Sequence, residues 1–358
     1  MPELLVVADD LTGALEAGAL LAGAGVETDV TVGWRESDAA AVVVDTETRH
    51  TDADRAAAIV SEAARRARER GATYLFKKTD STLRGPIAAE LEAAMMGWGA
   101  TRPLVYLPAY PRMGRTVRGG ILYVDGVPLE QSAFGRDPRE PARTGSLREV
   151  LRGSGDRLWF AARAESLRDL PQAPLLIVCD AEREEDLEAA AAALAGSSAL
   201  ELTAGPAGWL RHLVRQMPLA RGAPPRRPPV ARGLVVNGSR HPRSLEQMRR
   251  AAVDGVPWEI LGAGFEAPVD ALERLASQAV AAARAAKLDC LAIFGGDTAL
   301  AVVRELGVDT LEPVGELMDG VAVSRVEGTP GILVTKAGGF GGVGLIREMI
   351  EKLGGAHG

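Results

Sequence analysis

The segment Leu4-Leu5-Val6-Val7-Ala8-Asp9-Asp10-Leu11-Thr12-Gly13-Ala14 decides how the chain begins to fold. Its five leading apolar residues predict a buried strand, and the two carboxylates stand where that strand gives way to a helix. In open parallel sheets, ligands bind beyond the carboxyl ends of the strands, at the helix N-termini. One aspartate can cap the helix. The other is then available as a general base, a ligand for substrate hydroxyls or a metal ligand.

The same alternation of short strands and helices continues along most of the chain. Strands are predicted at Leu4–Ala8, Thr28–Val32, Ala41–Asp45, Tyr74–Lys78, Leu104–Leu107, Leu175–Cys179, Leu200–Thr203, Gly233–Asn237, Trp258–Leu261, Leu288–Phe294, Val321–Arg325 and Ile332–Thr335. Helical patterns between them include Asp54–Arg70, Ala299–Leu306 and Val343–Leu353. Parallel strands joined by crossover helices give this pattern. We therefore predict an α/β fold in which each domain is a mainly parallel sheet flanked by helices.

Two domains are expected, because the chain has 358 residues and a domain usually has about 100–200. The stretch Arg221–Arg232 is rich in proline and arginine and should run extended as a connector. We place an N-terminal domain at residues 1–221, a linker at 222–232 and a C-terminal domain at 233–358. The segment Pro108–Leu158 predicts substrate-facing loops with an antiparallel β excursion, or alternatively a surface insertion.

Composition and charge narrow the function classes. Hydrophobic residues make up 47% and charged residues 25%, as in a globular protein. The formal net charge of −7 argues against a general nucleic-acid binder. No apolar run reaches the length of a membrane span, and the N-terminus lacks a signal-peptide pattern. Cys179 and Cys290 lie in apolar runs, as buried thiols do, and the four histidines lack the spacing of a metal site. We expect a cytoplasmic protein with no membrane or nucleic-acid partner.

A second polar corner follows the strand Tyr74–Lys78 and reads Thr79-Asp80-Ser81-Thr82-Leu83-Arg84-Gly85-Pro86. Asp80, Ser81 and Thr82 suit either helix capping or ligand binding. The Arg84 guanidinium, beside a helix N-terminus, offers a fork for a carboxylate or a phosphate. The alternative for Arg84 is an ordinary surface arginine.

Glycine-rich corners mark the C-terminal half. They are Asn237-Gly238-Ser239-Arg240-His241, Gly295-Gly296-Asp297-Thr298 and Lys336-Ala337-Gly338-Gly339-Phe340-Gly341-Gly342. Glycines let the backbone approach a ligand closely, and exposed helix-start amides favour phosphate oxygens. These corners therefore predict a nucleotide-phosphate site. His241 is open to a catalytic role or to a place at a helix start.

Two tempting motifs do not extend this prediction. The stretch Gly262–Ala267 fits a dinucleotide-binding pattern, but the next strand ends in Phe294-Gly295 without an acidic residue for a ribose, so we interpret it as a loop. A Walker lysine motif does not occur in the sequence. Nucleotide binding would thus use another arrangement.

Taken in order, these motifs resemble those of the four-carbon acid sugar kinases, which include the 3-oxo-tetronate, threonate and erythronate kinases. The resemblance spans almost the whole chain. The matching stretches are Ala8–Ala14, Lys77–Gly85, Pro108–Pro111, Gly114–Thr116, Asp125–Pro128, Leu202–Gly205, Gly238–Ser239, Gly295–Thr298 and Lys336–Gly341. The chain departs from the family where Arg240, His241 and Pro242 follow Gly-Ser, and where Ala337 replaces the usual serine.

The resemblance implies a ligand cleft between the two domains, with the sugar acid held by the first and ATP by the second. By position, the sugar-acid contacts would be Asp9, Asp10, Asp80, Ser81 and Arg84. The ATP contacts would be Ser239, Gly295, Gly296, Asp297, Thr298, Gly338 and Gly339. No metal site built from the protein's own side chains is expected; Mg²⁺ would arrive on the phosphates.

We therefore expect an ATP-dependent kinase that phosphorylates a hydroxyl, the C4-OH, of a small four-carbon acid such as a tetronate or 3-oxo-tetronate. Mg²⁺, Lys336 and the glycine-corner amides would steady the γ-phosphoryl group. Arg84 would hold the substrate carboxylate, and Asp10 would accept the hydroxyl proton, with Asp9 and Asp80 as alternatives. The competing hypotheses are a nicotinamide-dependent oxidoreductase and a non-catalytic sugar-acid-binding protein. The sequence leaves the oligomeric state open, a homo-oligomer included.

Overall fold

A computed structural model of the chain describes residues 2–136, 141–262, 271–337 and 339–354. The predicted site residue Gly338, and the Gly262–Ala267 motif beyond Gly262 itself, lie outside the described residues. Strands and helices alternate from Leu4 onwards, as the sequence predicts.

The N-terminal half carries the first eleven strands. They are β1 (Leu4–Ala8), β2 (Thr28–Val32), β3 (Ala41–Asp45), β4 (Tyr74–Lys78), β5 (Leu104–Tyr106), β6 (Arg115–Arg118), β7 (Ile121–Val124), β8 (Val127–Pro128), β9 (Leu158–Ala161), β10 (Leu176–Cys179) and β11 (Leu202–Gly205). Its helices are α1 (Leu11–Gly23), α2 (Ala53–Glu69), α3 (Ile87–Trp98), α4 (Leu147–Val150), α5 (Glu184–Leu194) and α6 (Ala207–Leu213).

The C-terminal half carries the remaining elements. Its strands are β12 (Gly233–Asn237), β13 (Glu259–Gly262), β14 (Cys290–Phe294), β15 (Thr310–Met318), β16 (Val321–Arg325) and β17 (Ile332–Lys336). Its helices are α7 (Pro242–Asp254), α8 (Ala271–Ala286), α9 (Gly296–Leu306) and α10 (Leu345–Gly354).

Fourteen of the described strands form one sheet in the order β13-β12-β14-β17-β16-β15-β2-β3-β1-β4-β11-β5-β10-β9. The sheets predicted for the two halves are both present and mainly parallel. They are continuous because Thr310 and Leu311 of β15 pair antiparallel with Thr31 and Val30 of β2. Strand β15 was not predicted, because Pro313 and Gly315 are disfavoured inside strands. The register between β15 and β16 shifts at that point.

Helix α1 lies between the two halves. The strand before it, β1, is fully buried between β3 and β4, as expected for a parallel strand covered on both faces. Helix α1 is itself buried from Leu11 to Ala22 and packs against β15, β16, α6 and α9. A helix that is apolar on all sides is stable only when neighbours cover every side. Its N-terminus, at Asp10, is thereby held at the junction of the halves.

The predicted excursion within residues 108–158 is confirmed in part. Strands β6, β7 and β8 form a three-stranded antiparallel sheet. Val117 of β6 also bridges to Ala181, just after β10. The excursion is therefore attached to the main sheet and brings β6 close to the carboxyl ends of its strands.

The proline-rich connector has the irregular structure that its sequence predicts. No helix or strand occupies Leu219–Arg232, all of which the structure describes. The Gly222 amide donates to the Gly25 carbonyl at 2.8 Å, so the connector lies against the end of α1. The boundaries at residues 221 and 233 stay a prediction.

Both cysteines are buried free thiols, as predicted. Burial raises the pKa of Cys179 to about 12, which keeps that thiol protonated and unreactive. In the ranges that the structure describes, every helix is too short or too polar to cross a lipid bilayer.

Candidate active site

A cavity of about 1190 Å³ lies beyond the carboxyl ends of strands from both halves. Every described residue that the sequence predicted for the site lines it, with the single exception of Lys336. From the N-terminal half these are Asp9, Asp10, Asp80, Ser81 and Arg84. From the C-terminal half they are Ser239, Gly295, Gly296, Asp297, Thr298 and Gly339. The volume exceeds the range of about 300–1,000 Å³ typical of single-ligand pockets.

The acidic corners meet because β3, β1 and β4 are adjacent parallel strands. Their carboxyl ends lie at the same edge of the sheet. Asp9 and Asp10 follow β1, and Asp80 follows β4 by two residues. The third strand of this group, β3, contributes a residue that the sequence analysis did not select, Arg49.

Arg49 joins the three carboxylates. Its Nε donates to Asp9 Oδ2 at 2.7 Å, its Nη1 donates to Asp10 Oδ2 at 2.7 Å, and its Nη2 lies 3.5 Å from Asp80 Oδ1. The side chain is only 9% exposed. One buried cation thus holds together the carboxylates that would otherwise repel one another. The position of Arg49 in the chain could have identified it as a site residue, because it follows β3 by four residues and β3 ends at the same edge of the sheet.

Asp10 caps helix α1. Its Oδ1 accepts from the Gly13 amide at 2.9 Å, and its Oδ2 accepts from the Thr12 hydroxyl at 2.6 Å as well as from Arg49. Burial by itself would raise the pKa of Asp10, but the positive charges of Arg49 and Lys78 outweigh burial and hold that pKa below its usual value. Asp10 is therefore ionised at neutral pH.

Asp80 organises the second corner. Its Oδ2 accepts from the Thr82 amide at 3.0 Å and from Arg84 Nε at 3.0 Å, while its Oδ1 accepts from Arg84 Nη2 at 2.8 Å. Burial opposes ionisation, yet Arg84 and Arg49 hold the pKa of Asp80 well below its usual range. Ser81 lies beside this pair in the cavity wall. The paired guanidinium of Arg84 is a quarter exposed and faces the cavity.

A third carboxylate group lies further along α1, six residues beyond Asp10. Glu16 accepts from the Tyr110 hydroxyl at 3.0 Å and lines the cavity. Burial raises the pKa of Glu16 to about 7, with nearby Glu316 adding to the rise and Lys78 opposing it. Glu316 belongs to β15 and pairs with Arg211 at 2.6 Å. Glu16 of the cavity wall is therefore close to a carboxylate of the other half.

The glycine corners of the C-terminal half are adjacent because β12, β14 and β17 are neighbouring parallel strands. Two of these positions require glycine, one for lack of space and one for its backbone conformation. A Cβ on Gly238 would lie 2.1 Å from Thr298 Oγ1, and Gly295 has a φ of 110° that favours glycine. Gly295 is the N-cap of α9, whose first residue is Gly296. The bare backbone at the start of α9 is open to the cavity, as an anion site requires.

The two sets of corners touch at one point. A Cβ added to Gly296 would lie 3.3 Å from Asp10 Oδ2 and 3.3 Å from Thr12 Oγ1. The N-terminus of α9 therefore faces the N-terminus of α1 across a narrow gap. Asp297 is exposed at this end of α9, while Thr298 is buried beneath it.

Lys336 lies beneath the glycine turn rather than in the cavity wall, which differs from our expectation. Successive side chains of a strand point to opposite faces, so Thr335 lines the cavity and Lys336 faces away from it. Its Nζ donates to the Phe340 carbonyl at 3.1 Å and to Ser244 Oγ at 3.3 Å. Burial lowers the pKa of Lys336 to about 7, with Arg243 contributing. The side chain supports the turn from below.

Gln247 of α7 supports the same turn. Its Nε2 donates to the carbonyl oxygens of Phe340, Gly341 and Gly342 at 2.9, 3.2 and 2.9 Å. His241 stands at the start of α7, where its Nδ1 accepts from the Arg243 amide at 3.1 Å. His241 is thus a helix cap, one of the two roles left open by the sequence.

Family models match both halves of the chain. A model described as a sugar-binding N-terminal domain matches residues 4–213, and one described as a nucleotide-binding C-terminal domain matches residues 261–346. A D-threonate kinase of Bordetella bronchiseptica is 31% identical over 95% of both chains. A 3-oxo-tetronate kinase of Methylobacterium radiotolerans is 30% identical over 97% of this chain and 98% of its own.

A solved structure of a Salmonella typhimurium protein shares the fold. It is 22% identical, has a TM-score of 0.78 and covers 99% of this chain and 100% of that chain. The match extends over both halves and so over both walls of the cavity. This likeness shows the fold, whereas the family models and the two named kinases show the family. This chain belongs to the four-carbon acid sugar kinase family and is an enzyme that phosphorylates a sugar acid.

Proposed function

We propose that this enzyme transfers the γ-phosphoryl group of ATP to the C4 hydroxyl of a four-carbon sugar acid, a tetronate or 3-oxo-tetronate. The names of its relatives, D-threonate kinase and 3-oxo-tetronate kinase, support this substrate class. A reducing, cytoplasmic setting is part of the proposal and is supported by the two free buried thiols.

The observation that carries the proposal is the meeting of Gly296 and Asp10. The bare N-terminus of α9 is a phosphate-binding feature, and a Cβ added to Gly296, its first residue, would lie 3.3 Å from Asp10 Oδ2. A phosphate bound at α9 and a hydroxyl bound at Asp10 would therefore be neighbours. Such proximity is what phosphoryl transfer requires, since positioning supplies most of its catalysis.

On the acid side, Arg84 is the proposed ligand of the substrate carboxylate. Its guanidinium faces the cavity, and Asp80 fixes its plane through two hydrogen bonds. Arg49 holds Asp9 and Asp10 in place, so their oxygens are presented as fixed acceptors for sugar hydroxyls. Ser81 adds a hydroxyl to the same wall.

Asp10 is the proposed base. Its side chain is 15% exposed, against 2% for Asp9 and 7% for Asp80, so it is the most accessible of the three to a substrate hydroxyl. Its lowered pKa makes it a weak base. That strength suffices in a loose phosphoryl-transfer transition state, in which little covalent chemistry falls to the protein.

On the nucleotide side, Ser239, Gly295, Gly296, Thr298 and Gly339 are the proposed ATP contacts. Mg²⁺ would bind to the phosphates and offset their negative charge. Of the residues in this wall, exposed Asp297 fits it best, because Mg²⁺ is usually bound through one or two carboxylates together with substrate phosphates and waters. Lys336 is proposed as a positioning residue that fixes the turn after β17 from beneath.

A release assay tests the proposal. The full chain is incubated with ATP and Mg²⁺ and with D-threonate, D-erythronate, 3-oxo-tetronate or five-carbon acids, and ADP is measured. Acid-dependent ADP release, with NMR assigning phosphate to the C4 oxygen, is the expected result. Acid-dependent reduction of NAD without ADP release would support an oxidoreductase instead. Thermal stabilisation by an acid without any turnover would indicate a non-catalytic binding protein.

A further inference from the structure

Arg115, the first residue of β6, is a buried cation in the cavity wall. It has no role in the function proposed above. It comes from the matching stretch Gly114–Thr116, and its side chain lines the cavity while only 5% of the residue is exposed. Its Nη1 donates to the Met113 carbonyl. Its Nε is buried without an acceptor among the described residues.

No carboxylate in the described part of the chain lies within ion-pair distance of Arg115. Arg49 contacts three carboxylates and Arg84 contacts Asp80, so both of these guanidinium groups have a direct charge partner. A buried charge without a partner is costly and is retained where something supplies the opposite charge. Asp125, Asp80 and Glu16 influence the Arg115 charge only from beyond ion-pair distance, so an anion bound in the cavity would be its first direct charge partner.

Two aromatic rings fix the position of the guanidinium. Its Cζ lies 5.1 Å from the ring centre of Phe134 and 5.6 Å from that of Phe340. Phe340 belongs to the turn after β17, in the half that carries the glycine corners, whereas Arg115 belongs to the other half. Arg115 thus packs against an aromatic ring from the half that carries the glycine corners. The Phe340 ring packs against Gly320, and a Cβ added to that glycine would lie 2.5 Å from the ring.

The hydrogen-bonding edge that remains is suited to an oxyanion. With Nη1 committed to Met113, Arg115 keeps the edge formed by Nε and Nη2, the same edge that Arg84 presents to Asp80. That edge makes two parallel hydrogen bonds to a carboxylate or a phosphoryl group. Lys336, expected at the phosphates, lies beneath the turn, so Arg115 is the better-placed cation.

We propose that Arg115 contacts the phosphoryl group while it passes from ATP to the sugar acid, and is therefore a catalytic residue. The proposal rests on the function proposed above. In the step, the C4 oxygen forms a bond to the γ-phosphorus, and the bond from that phosphorus to the bridging oxygen breaks. ADP leaves with the electron pair, and the hydroxyl proton passes to Asp10. Arg115 forms no covalent bond; its charge and two donors stabilise the equatorial oxygens.

The test compares R115A and R115K with wild type, and with R118A as the matched control. Arg118 stands on the same strand but is exposed, and among the described residues its side chain contacts Tyr123 and Glu182. Turnover with ATP and D-threonate is measured together with the separate dissociation constants of each ligand. We expect R115A to lower kcat by about 10²–10³-fold, with each dissociation constant changed less than about threefold. R115K should lose at least tenfold, since an ammonium cannot make the paired contact.

Each other result overturns the proposal. A tenfold weaker binding of D-threonate with a near-normal kcat would make Arg115 a carboxylate ligand. Wild-type values throughout would make it structural. If R115A fails to fold, R115K decides, and a wild-type kcat in R115K refutes the contact. An inactive wild type, across the whole acid panel, refutes the proposed function first and the role of Arg115 with it.

Discussion

Replacing Asp10 with asparagine separates the capping role of this residue from its role as a base. Asparagine offers one oxygen where aspartate offers two. With that oxygen toward the Gly13 amide, the cap survives but an amide nitrogen faces Arg49 Nη1. With the oxygen toward Arg49, the cap is lost. A cap contributes about 1 kcal/mol and a charged hydrogen bond about 1.5–3 kcal/mol.

Arg49 keeps Asp9 and Asp80 in either case, so we expect Asp10→Asn to lower the free energy of unfolding by about 1–2 kcal/mol. The control is Asp52→Asn, because Asp52 caps α2 by accepting from the Arg55 amide at 2.9 Å and lies outside the cavity wall. Asparagine caps as well as aspartate, so the control should change stability little. Urea denaturation measures both variants.

The kinetic effect is independent of the stability effect. Asparagine cannot accept the hydroxyl proton, so turnover of the Asp10→Asn enzyme should fall by about 10²–10⁴-fold. Binding of ATP and of the acid should persist. If Asp10→Asn lowers the free energy of unfolding no more than Asp52→Asn does, the ion-pair argument is refuted. If its turnover is also within threefold of wild type, the assignment of the base is refuted as well. The base would then be sought at Asp9 or Asp80.

Three further substitutions test other parts of the site. Arg84→Ala should raise KM for the sugar acid at least tenfold while leaving KM for ATP nearly unchanged, and a rise confined to ATP would make Arg84 a phosphate ligand. Gly296→Ala should lower turnover at least tenfold, because its Cβ would lie 3.3 Å from Asp10 Oδ2, whereas Gly23→Ala, whose Cβ meets nothing within 4 Å, should not. Glu16→Gln should change the pH dependence of unfolding. The folded pKa of about 7 lies above the unfolded value of 4.5, so the stabilising contribution of Glu16 is complete below pH 4.5 and is lost as the pH rises through 7. Between these limits the free energy of unfolding of wild type should fall by on the order of 3 kcal/mol relative to that of the glutamine variant. Urea denaturation at each pH from 5 to 8 measures both, and a constant difference between the two proteins would contradict this.

The sequence predicted those features that depend on short-range patterns. β1, β12 and β16 match their predicted bounds because apolar runs flanked by polar or glycine residues define a buried strand locally. β11 was predicted to begin at Leu200 but begins at Leu202, because residues 198–201 form a 3-10 turn. The segments that follow the strands were correctly predicted to lie together around one cavity, because the carboxyl ends of parallel strands lie at the same edge of a sheet.

Features that depend on long-range contacts were missed. Arg49 lies in an irregular segment, and nothing local distinguishes it from a surface arginine; only the adjacency of β3 and β1 does. Lys336 was predicted to face the phosphates because it is charged and next to glycines, but strand alternation directs it to the opposite face. β15 was missed because its partner on one side, β2, lies almost 280 residues earlier in the chain.

The pairing of β15 with β2 has a consequence for work with fragments. Either half expressed alone would present an open strand edge, and unpaired edges are templates for aggregation. The natural unit for purification is therefore the whole chain. A protease that cuts the exposed connector before β12 should leave the two pieces bound to each other, because the strand pair and the burial of α1 hold them together without the covalent link.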